Sequence, residues 1–293
     1  MRTHYLTGLA AGLGAASIWG GMYVVSKVVL DVVPPFALLS SRLVLGAAAL
    51  GLVALFRPKR WPTRGRTLAI FGVGAVGYGV SLGFQFVGTR LSTASNGALV
   101  TSATPAFILL FAPFLLGEKT TPRRLIALVV ATLGVAAVVD PRSAELSPSL
   151  FAGNLSLLAA ALTWALYSVL VRKVARGEDP VVSTAIMLVG GLPSSLAFGA
   201  MELGSTGIAA GSMTFGIVGG ILFLGIVCTA VAMFLWNYAF TALPAAVASL
   251  TFFAQPVVGT VLGVLFLGEV LTPLFLAGGA LIAVGLVVAG SER

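Results

Sequence analysis

The segment Ser92–Leu116 reads STASNGALVTSATPAFILLFAPFLL, with Thr104-Pro105 at its centre and Gly117-Glu118 directly after it. The same features return 151 positions later, where the matching residues are Pro256, Gly268-Glu269, Thr272-Pro273 (for Thr121-Pro122) and Gly285 (for Gly134). Proline and acidic residues are scarce, with 14 Pro and 9 Asp plus Glu in 293 residues, so chance does not explain this repetition. The sequence therefore indicates two copies of one unit, each with a proline inside an apolar segment.

The composition is that of a membrane protein. Hydrophobic residues make up 58% of the chain and charged residues 9%, and the mean hydropathy is +1.08, whereas about a quarter of a soluble domain is charged. Apolar runs of about 20 residues, long enough to cross a bilayer as helices, recur along the chain. Because backbone groups in lipid must pair within the segment, we predict an all-α membrane protein. Interrupted helices at matching places in two repeats then point to a binding site.

Ten transmembrane helices are predicted, five in each copy. They cover Leu6–Val28, Pro35–Phe56, Thr67–Gly88, Ser92–Leu116, Arg123–Val139, Phe151–Val171, Val181–Met201, Thr214–Tyr238, Pro244–Leu267 and Thr272–Gly290. The first copy occupies residues 1–145 and the second residues 146–293. The apolar run that starts near Leu6 continues to about Val29, too long for a signal-peptide core, so it is predicted to be the first span.

The basic residues decide the predicted orientation. Of the 17 Lys and Arg, 13 lie on one side of the membrane: at the termini, in the loops that follow the second, fourth and sixth spans, or at the start of the fifth span, and most densely at 57–60. Positive charge favours the cytoplasmic side, so both termini are predicted to be cytoplasmic, in an inner membrane. These loops also explain the net charge of +8, and no nucleic-acid partner is expected. Because five spans is an odd number, the second copy crosses in the opposite sense, as an inverted repeat.

These features resemble the EamA-type proteins of the drug/metabolite transporter superfamily. The likeness rests on two five-helix units with Trp19 and Trp164 in their first helices, and on the motif Gly-Glu-x-x-x-Pro, which occurs at Gly117–Pro122 and Gly268–Pro273. The segment Pro35–Arg42, with an arginine inside a span, is also similar to the second helix of that family. The resemblance implies a ten-helix carrier, often an exporter of amino acids or other small metabolites. It does not identify the substrate.

The prolines at the two helix breaks are predicted to act in gating. A packing kink is the alternative, because membrane helices tolerate proline. A polar residue precedes each of them, Thr104 before Pro105 and Gln255 before Pro256. If each helix restarts at its break, the freed amide groups carry partial positive charge suited to a carboxylate.

Aromatic and amide side chains at mid-span are the candidates for substrate binding. They are Trp19, Tyr23, Tyr78, Gln85, Asn96, Thr101, Trp164, Tyr167 and Gln255. For Trp and Tyr the alternative is the interfacial belt, which is our interpretation of Trp236 and Tyr238 near a span end. Tyr23 and Tyr167 follow their tryptophans by four and three residues, so each shares a helix face with its tryptophan. An uncharged cavity lined in this way suits neutral, partly apolar solutes.

Charged side chains inside a span are costly, about 2.5–3.5 kcal/mol at mid-helix. Arg42 lies about two turns into the second span, where it either extends to the outer surface or faces the cavity and meets an anionic group. All nine acidic residues fall at span ends or in loops, so no buried proton relay is expected and solute movement is predicted to be facilitated. Glu118 and Glu269 are predicted to end helices and to pair with nearby donors.

Other classes of function have less support from the residues. An intramembrane enzyme needs His or carboxylate clusters at depth, and the one histidine is His4, so we expect no enzyme, metal or cofactor. A solute channel is disfavoured by the two broken helices. A multidrug efflux transporter is the main alternative, although pumps of related design rely on a deep acidic residue. The prediction is a monomeric carrier of neutral or zwitterionic metabolites, above all amino acids, including aromatic or apolar ones.

Overall fold

The computed structural model describes residues 2–56, 61–117, 121–139, 147–175, 177–243 and 251–290, and the regular structure in these ranges is helical. Some predicted features lie outside the described residues: the basic residues 57–60, Glu118, Lys119, the repeat boundary at 145/146, Arg176, Pro244 and Arg293.

The helices are named here in chain order. The first three are α1 (Arg2–Leu30), α2 (Pro35–Leu55) and α3 (Arg64–Gly74, Ala75–Ser81 and Leu82–Leu91). They are followed by α4a (Ala94–Thr101), α4b (Thr104–Leu116), α5 (Pro122–Val139), α6 (Pro148–Val174) and α7 (Pro180–Ser205). The last are α8 (Phe215–Leu222, Phe223–Val231 and Ala232–Ala242), α9 (Thr251–Phe253 and Ala254–Leu267) and α10 (Pro273–Gly290).

Length and composition identify seven candidate membrane spans in the described ranges. They correspond to α1, α2, α3, the two parts of α4 together, α6, α7 and α8, while Ala254–Leu267 and Pro273–Gly285 are shorter apolar helices. The prediction of an all-helical membrane protein is confirmed for this part of the chain. The number of ten spans stays a prediction.

The break predicted at Thr104-Pro105 is present. Helix α4a ends at Thr101, and α4b begins at Thr104 with Pro105 in its first turn, where the missing proline N–H leaves no helical bond unmade. In α9, Pro256 is likewise close to the start of Ala254–Leu267, just after a 3-10 turn. Both prolines therefore mark the point where a helix restarts.

Two π-helical segments were not predicted from the sequence. They are Ala75–Ser81 in α3 and Phe223–Val231 in α8. A π turn accepts one extra residue, and π turns in membrane and soluble helices often mark functional sites. Hydrophobic periodicity does not distinguish them from α-helix over so short a length, which explains why the sequence analysis missed them.

The bundle is organised by a few helix pairs. Helix α1 packs against α8 and α9, and α6 packs against α3 and α4. Helix α2 packs against α7 and α8, α7 also packs against α3, and α5 packs against α10. Glycines allow the closest approaches: a β-carbon on Gly74 of α3 would lie 2.0 Å from the Met187 carbonyl oxygen of α7.

Gly74→Ala should lower the free energy of unfolding by about 1–3 kcal/mol, because its methyl group would push α3 away from the α7 backbone. Gly72→Ala, two residues earlier, is the control, since no neighbouring atom lies within 4 Å of a β-carbon there. Thermal unfolding in detergent, followed by size-exclusion chromatography, measures both variants. Equal melting temperatures for the two would contradict the packing described for Gly74.

Candidate functional site

A cavity of about 30 Å³ lies between α1, α2, α3, α4, α6, α8 and α9. Among the predicted site residues, those that line it are Trp19, Tyr23, Arg42, Gln85, Thr101, Thr104, Trp164 and Gln255. Lining residues that the sequence analysis missed are Met22, Ser81, Leu82, Ala160, Met233 and Phe252. The volume holds about two water molecules, far less than a pocket that encloses a ligand. In this conformation the bundle is closed around its centre.

The remaining predicted site residues do not line the cavity. Tyr78 and Tyr167 are buried behind Trp164, and the Tyr167 hydroxyl donates to the Tyr78 oxygen at 2.8 Å. The Asn96 amide donates to Asn154 Oδ1 at 3.1 Å, at the beginning of α4a. Pro105 and Pro256 are adjacent in sequence to the lining residues Thr104 and Gln255 but are not in the lining themselves.

Aromatic rings form a continuous row through the centre of the bundle. Trp19 is edge-on to Trp164, with ring centroids 6.2 Å apart, and lies 5.9 Å from Phe252. On the far side, Trp164 packs on Tyr167 at 4.6 Å. These rings give the cavity two indole walls and a phenyl wall, surfaces that favour apolar or aromatic groups.

The interpretation of Trp236 as an interfacial residue was wrong. Its side chain is 4% exposed and packs on Trp19 at 5.3 Å and edge-on to Phe252 at 4.6 Å. Position along α8 suggested the belt, but the aromatic neighbours from α1 and α9 cover this ring. Trp236 supports the cavity wall from behind.

A chain of buried hydrogen bonds connects α3, α1, α4a and α9 across the cavity. The Gln85 amide nitrogen donates to the Tyr23 hydroxyl, which is 2.6 Å from Thr101 Oγ1. Gln255 Nε2 donates to the same Thr101 oxygen at 2.8 Å and to the Ala98 carbonyl oxygen at 3.1 Å. The side chain that precedes the second proline therefore bridges to the first broken helix.

Arg42 is fully buried, so of the two predicted alternatives the structure has the side chain at the cavity and not at the outer surface. Its Nε donates to Thr229 Oγ1 at 2.5 Å and its NH2 group donates to the Cys228 carbonyl oxygen at 3.2 Å, both in the π segment of α8. Trp19 Nε1 donates to the same carbonyl at 3.0 Å. No Asp or Glu is among the described residues that line the cavity.

The backbone at the α4 break is largely paired within the chain. Ser102 Oγ donates to the Leu99 carbonyl and Thr104 Oγ1 to the Thr101 carbonyl, both at 2.7 Å. The amide of Ala103 donates to the Val100 carbonyl at 3.2 Å, so that group is already engaged. The hypothesis of free amides that bind an anion thus finds no support at Ala103.

Two glutamates bind the beginnings of helices from the other half of the chain. Glu269 accepts from the amides of Ala94 and Ser95 at 2.6 and 2.9 Å, at the start of α4a. Glu202 accepts from the amides of Phe36 and Ala37 at 2.7 and 3.1 Å, at the start of α2. A carboxylate at a helix N-terminus pairs with unbonded amides and with the helix dipole. The structure thus has Glu269 paired with backbone donors, as predicted.

Lys27 binds the link between α3 and α4a from its other side. Its ammonium donates to the carbonyls of Thr89, Arg90 and Ser92 at 3.2, 2.7 and 2.5 Å, where α3 ends. The short link between α3 and α4a is therefore held at its carbonyls by a cation of α1 and at its amides by an anion that follows α9.

Comparison with known proteins finds one family. The EamA-like transporter family model matches residues 6–139 and again residues 151–291. The uncharacterized transporter YoaV of Bacillus subtilis (strain 168) is 25% identical over 276 residues, 92% of this chain and 91% of that protein. The aromatic amino acid exporter YddG of Ancylobacter novellus is 28% identical over 162 residues, 52% of this chain and 53% of that exporter. A solved crystal structure aligns with a TM-score of 0.66 over 96% of both chains at 24% identity, which shows the fold alone.

Thr101→Val should lower the free energy of unfolding by about 1–3 kcal/mol for each buried donor left unpaired, because Tyr23 and Gln255 both lose their acceptor. Thr163→Val is the matched control, since the half-buried Thr163 hydroxyl donates only to carbonyls of its own helix. Thermal unfolding in detergent compares the two variants. A Thr101 variant as stable as the control would mean that the network does not hold α1, α4a and α9 together.

Proposed function

Because this chain belongs to the EamA-like transporter family, we propose that it is a carrier of small neutral or zwitterionic metabolites, most of all amino acids with aromatic or apolar side chains. It works by alternating access as an exporter or facilitator, and it has no catalytic activity. The proposal includes ten transmembrane helices, a bacterial inner membrane, cytoplasmic termini and a monomeric state.

The observation that carries this proposal is the chemistry of the cavity. Trp19, Trp164 and Phe252 offer apolar and aromatic surface, while Arg42 and two glutamines offer polar contacts. A carboxylate is absent from the described lining, so a lipophilic cation would find no countercharge there. A solute with an apolar side chain and a polar or zwitterionic end suits this combination best. The relative named as an aromatic amino acid exporter supports the same substrate class.

The division into residues 1–145 and 146–293 as inverted repeats remains part of the proposal. In its support, the main helix pairs described above are exchanged for one another when each helix is replaced by the one five places away. The pairs α1–α8 and α1–α9 become α6–α3 and α6–α4, and α2–α7 and α5–α10 map onto themselves. The π segments lie in α3 and α8 and the breaks lie in α4 and α9, so each feature also recurs five helices later. Two arrangements of equivalent units around a fixed site are the usual basis of alternating access.

Closure on the outer side is attributed in this proposal to Glu269. With cytoplasmic termini, the beginning of α4a and the end of α9 both face outward. The α9 backbone at Gly263 lies close to two side chains there, since a β-carbon on Gly263 would lie 2.7 Å from Ser95 Oγ and 2.6 Å from Glu269 Oε2. To open the cavity outward, the protein must separate these helix ends and break the bonds from Glu269 to Ala94 and Ser95.

Uptake into proteoliposomes tests the function. Purified protein should move L-phenylalanine, L-tryptophan or L-leucine without an imposed proton gradient, and solute on the opposite side should accelerate the movement, as carriers do. Trp164→Ala should reduce this transport by about 10-fold or more, since it removes a cavity wall worth a few kcal/mol of apolar contact. Tyr78→Ala tests the contribution of the buried ring behind Trp164.

Each alternative gives a different result. Transport of lipophilic cations in place of amino acids would identify a multidrug transporter. Movement without acceleration by opposite solute would identify a channel. A strict requirement for a proton gradient would contradict the facilitated mechanism.

Glu269→Gln should favour the outward-open state, because the neutral amide loses its charge-assisted bonds to the start of α4a. In a Cys228→Ser background, a cysteine substituted for the buried Ser95 should react several-fold faster with a membrane-impermeant thiol reagent added outside. Glu202→Gln is the control, since Glu202 pairs in the same way with α2, away from the cavity. Equal labelling rates for the two variants would contradict a gating role for Glu269.

A further inference from the structure

Two buried polar atoms at the cavity have no hydrogen-bond partner among the described residues. One is a donor, the NH1 group of Arg42, and the other is an acceptor, Gln85 Oε1. Both side chains are at least nine-tenths buried, and both line the same cavity. Buried polar atoms without partners are uncommon and costly, so each requires an explanation.

Arg42 has one cationic donor group at the cavity that no described residue binds. Its Nε and NH2 groups are engaged with Thr229 and Cys228 of α8, and the guanidinium lies 5.5 Å from the centre of the Phe86 ring. The two N–H bonds of NH1 remain. An arginine buried without a carboxylate is expensive to maintain, and such residues in membrane proteins mark binding sites. The matching ligand group is a carboxylate.

The hydrogen-bond network determines which atom of the Gln85 amide is left without a partner. The Thr101 hydroxyl has a single proton, which it donates to the Gly97 carbonyl at 2.6 Å. Thr101 Oγ1 must therefore accept from Gln255 and from the Tyr23 hydroxyl. The Tyr23 oxygen, having donated its own proton, accepts from the amide nitrogen of Gln85. This leaves Gln85 Oε1 as an acceptor, which suits an ammonium group.

From this pair we infer that Arg42 NH1 binds the α-carboxylate of the transported amino acid and that Gln85 Oε1 binds its α-ammonium. The inference rests on the proposed function and deepens it, because it assigns the zwitterionic end of the substrate to two atoms. The substrate side chain then lies against Trp19, Trp164 and Phe252. This assignment requires no acidic residue at the site, because the neutral Gln85 oxygen accepts from the α-ammonium.

The test uses three ligands that share a benzyl group. L-Phenylalanine has both charged groups, L-phenylalaninamide lacks the carboxylate, and 3-phenylpropionate lacks the ammonium. Each competes with radiolabelled L-phenylalanine for uptake into proteoliposomes. For the wild type, L-phenylalanine should compete at least about 10-fold better than either analogue, as expected for bonds to charged groups.

In Arg42→Gln the advantage of L-phenylalanine over the amide should disappear while its advantage over 3-phenylpropionate persists. In Gln85→Met the advantage of L-phenylalanine over 3-phenylpropionate should disappear while its advantage over the amide persists. Arg42→Lys should keep the preference for the carboxylate. Ser26→Ala is the control, because Ser26 Oγ is another buried atom without a partner among the described residues but lies outside the cavity lining; its ratios should equal those of the wild type.

If Arg42→Gln does not fold, as judged by size-exclusion chromatography, Gln85→Met and Arg42→Lys still decide the matter. Wild-type uptake of L-phenylalanine combined with either of two results would overturn this inference alone: competition ratios in Gln85→Met equal to those of the wild type, or loss of the preference for the carboxylate in Arg42→Lys. Wild-type protein that transports no amino acid would overturn both the inference and the proposed function.

Discussion

The carbonyl oxygen of Cys228 connects three helices through two hydrogen bonds. It accepts from Trp19 of α1 and from Arg42 of α2, and it belongs to the π segment of α8. In hydrocarbon a backbone group has no water to bind, so each irregular turn must find partners inside the protein. The same constraint explains the Gln255 bond to Ala98 and the Thr104 bond to Thr101 at the α4 break. Several of the places where helices depart from α geometry are thus also places where helices bind one another.

This constraint also accounts for the location of the cavity. Regular helices satisfy their own backbone and can pack against each other through apolar side chains and glycines alone. Irregular turns require polar side chains at membrane depth, and these side chains are then available to a ligand. In this protein the π segment of α3, through Ser81, and the break in α4, through Thr101 and Thr104, both border the cavity, so the groups that repair the backbone are neighbours of the groups that could bind a solute.

Much of the candidate site was predictable from the sequence, because polar and aromatic residues are rare at mid-span. Trp19, Gln85 and Gln255 were identified on that basis and line the cavity. Pro105 predicted a restart of the helix, and the structure contains this restart. Other features depend on which helices become neighbours, and no local pattern encodes that. Phe252 and Trp236 enter the aromatic row through such contacts, and Glu269 reaches the amides of Ala94 and Ser95 from far along the chain. The π segments could not be predicted from the sequence because a one-residue insertion into a helix leaves no periodic signal.

Arg42 has no equivalent cation in the other half of the chain. Counted from Pro35 and Pro180, where α2 and α7 begin, the corresponding position is Met187, which is buried beside Tyr167. In the proposed duplicated arrangement, a dimer of identical half-length chains would have this arginine in both chains, and its site would favour neither orientation of a zwitterion. Joining the halves in one polypeptide allows one of the two positions to lose its charge. In the proposed carrier this asymmetry gives the site a fixed polarity, so a zwitterionic solute is expected to bind in one orientation.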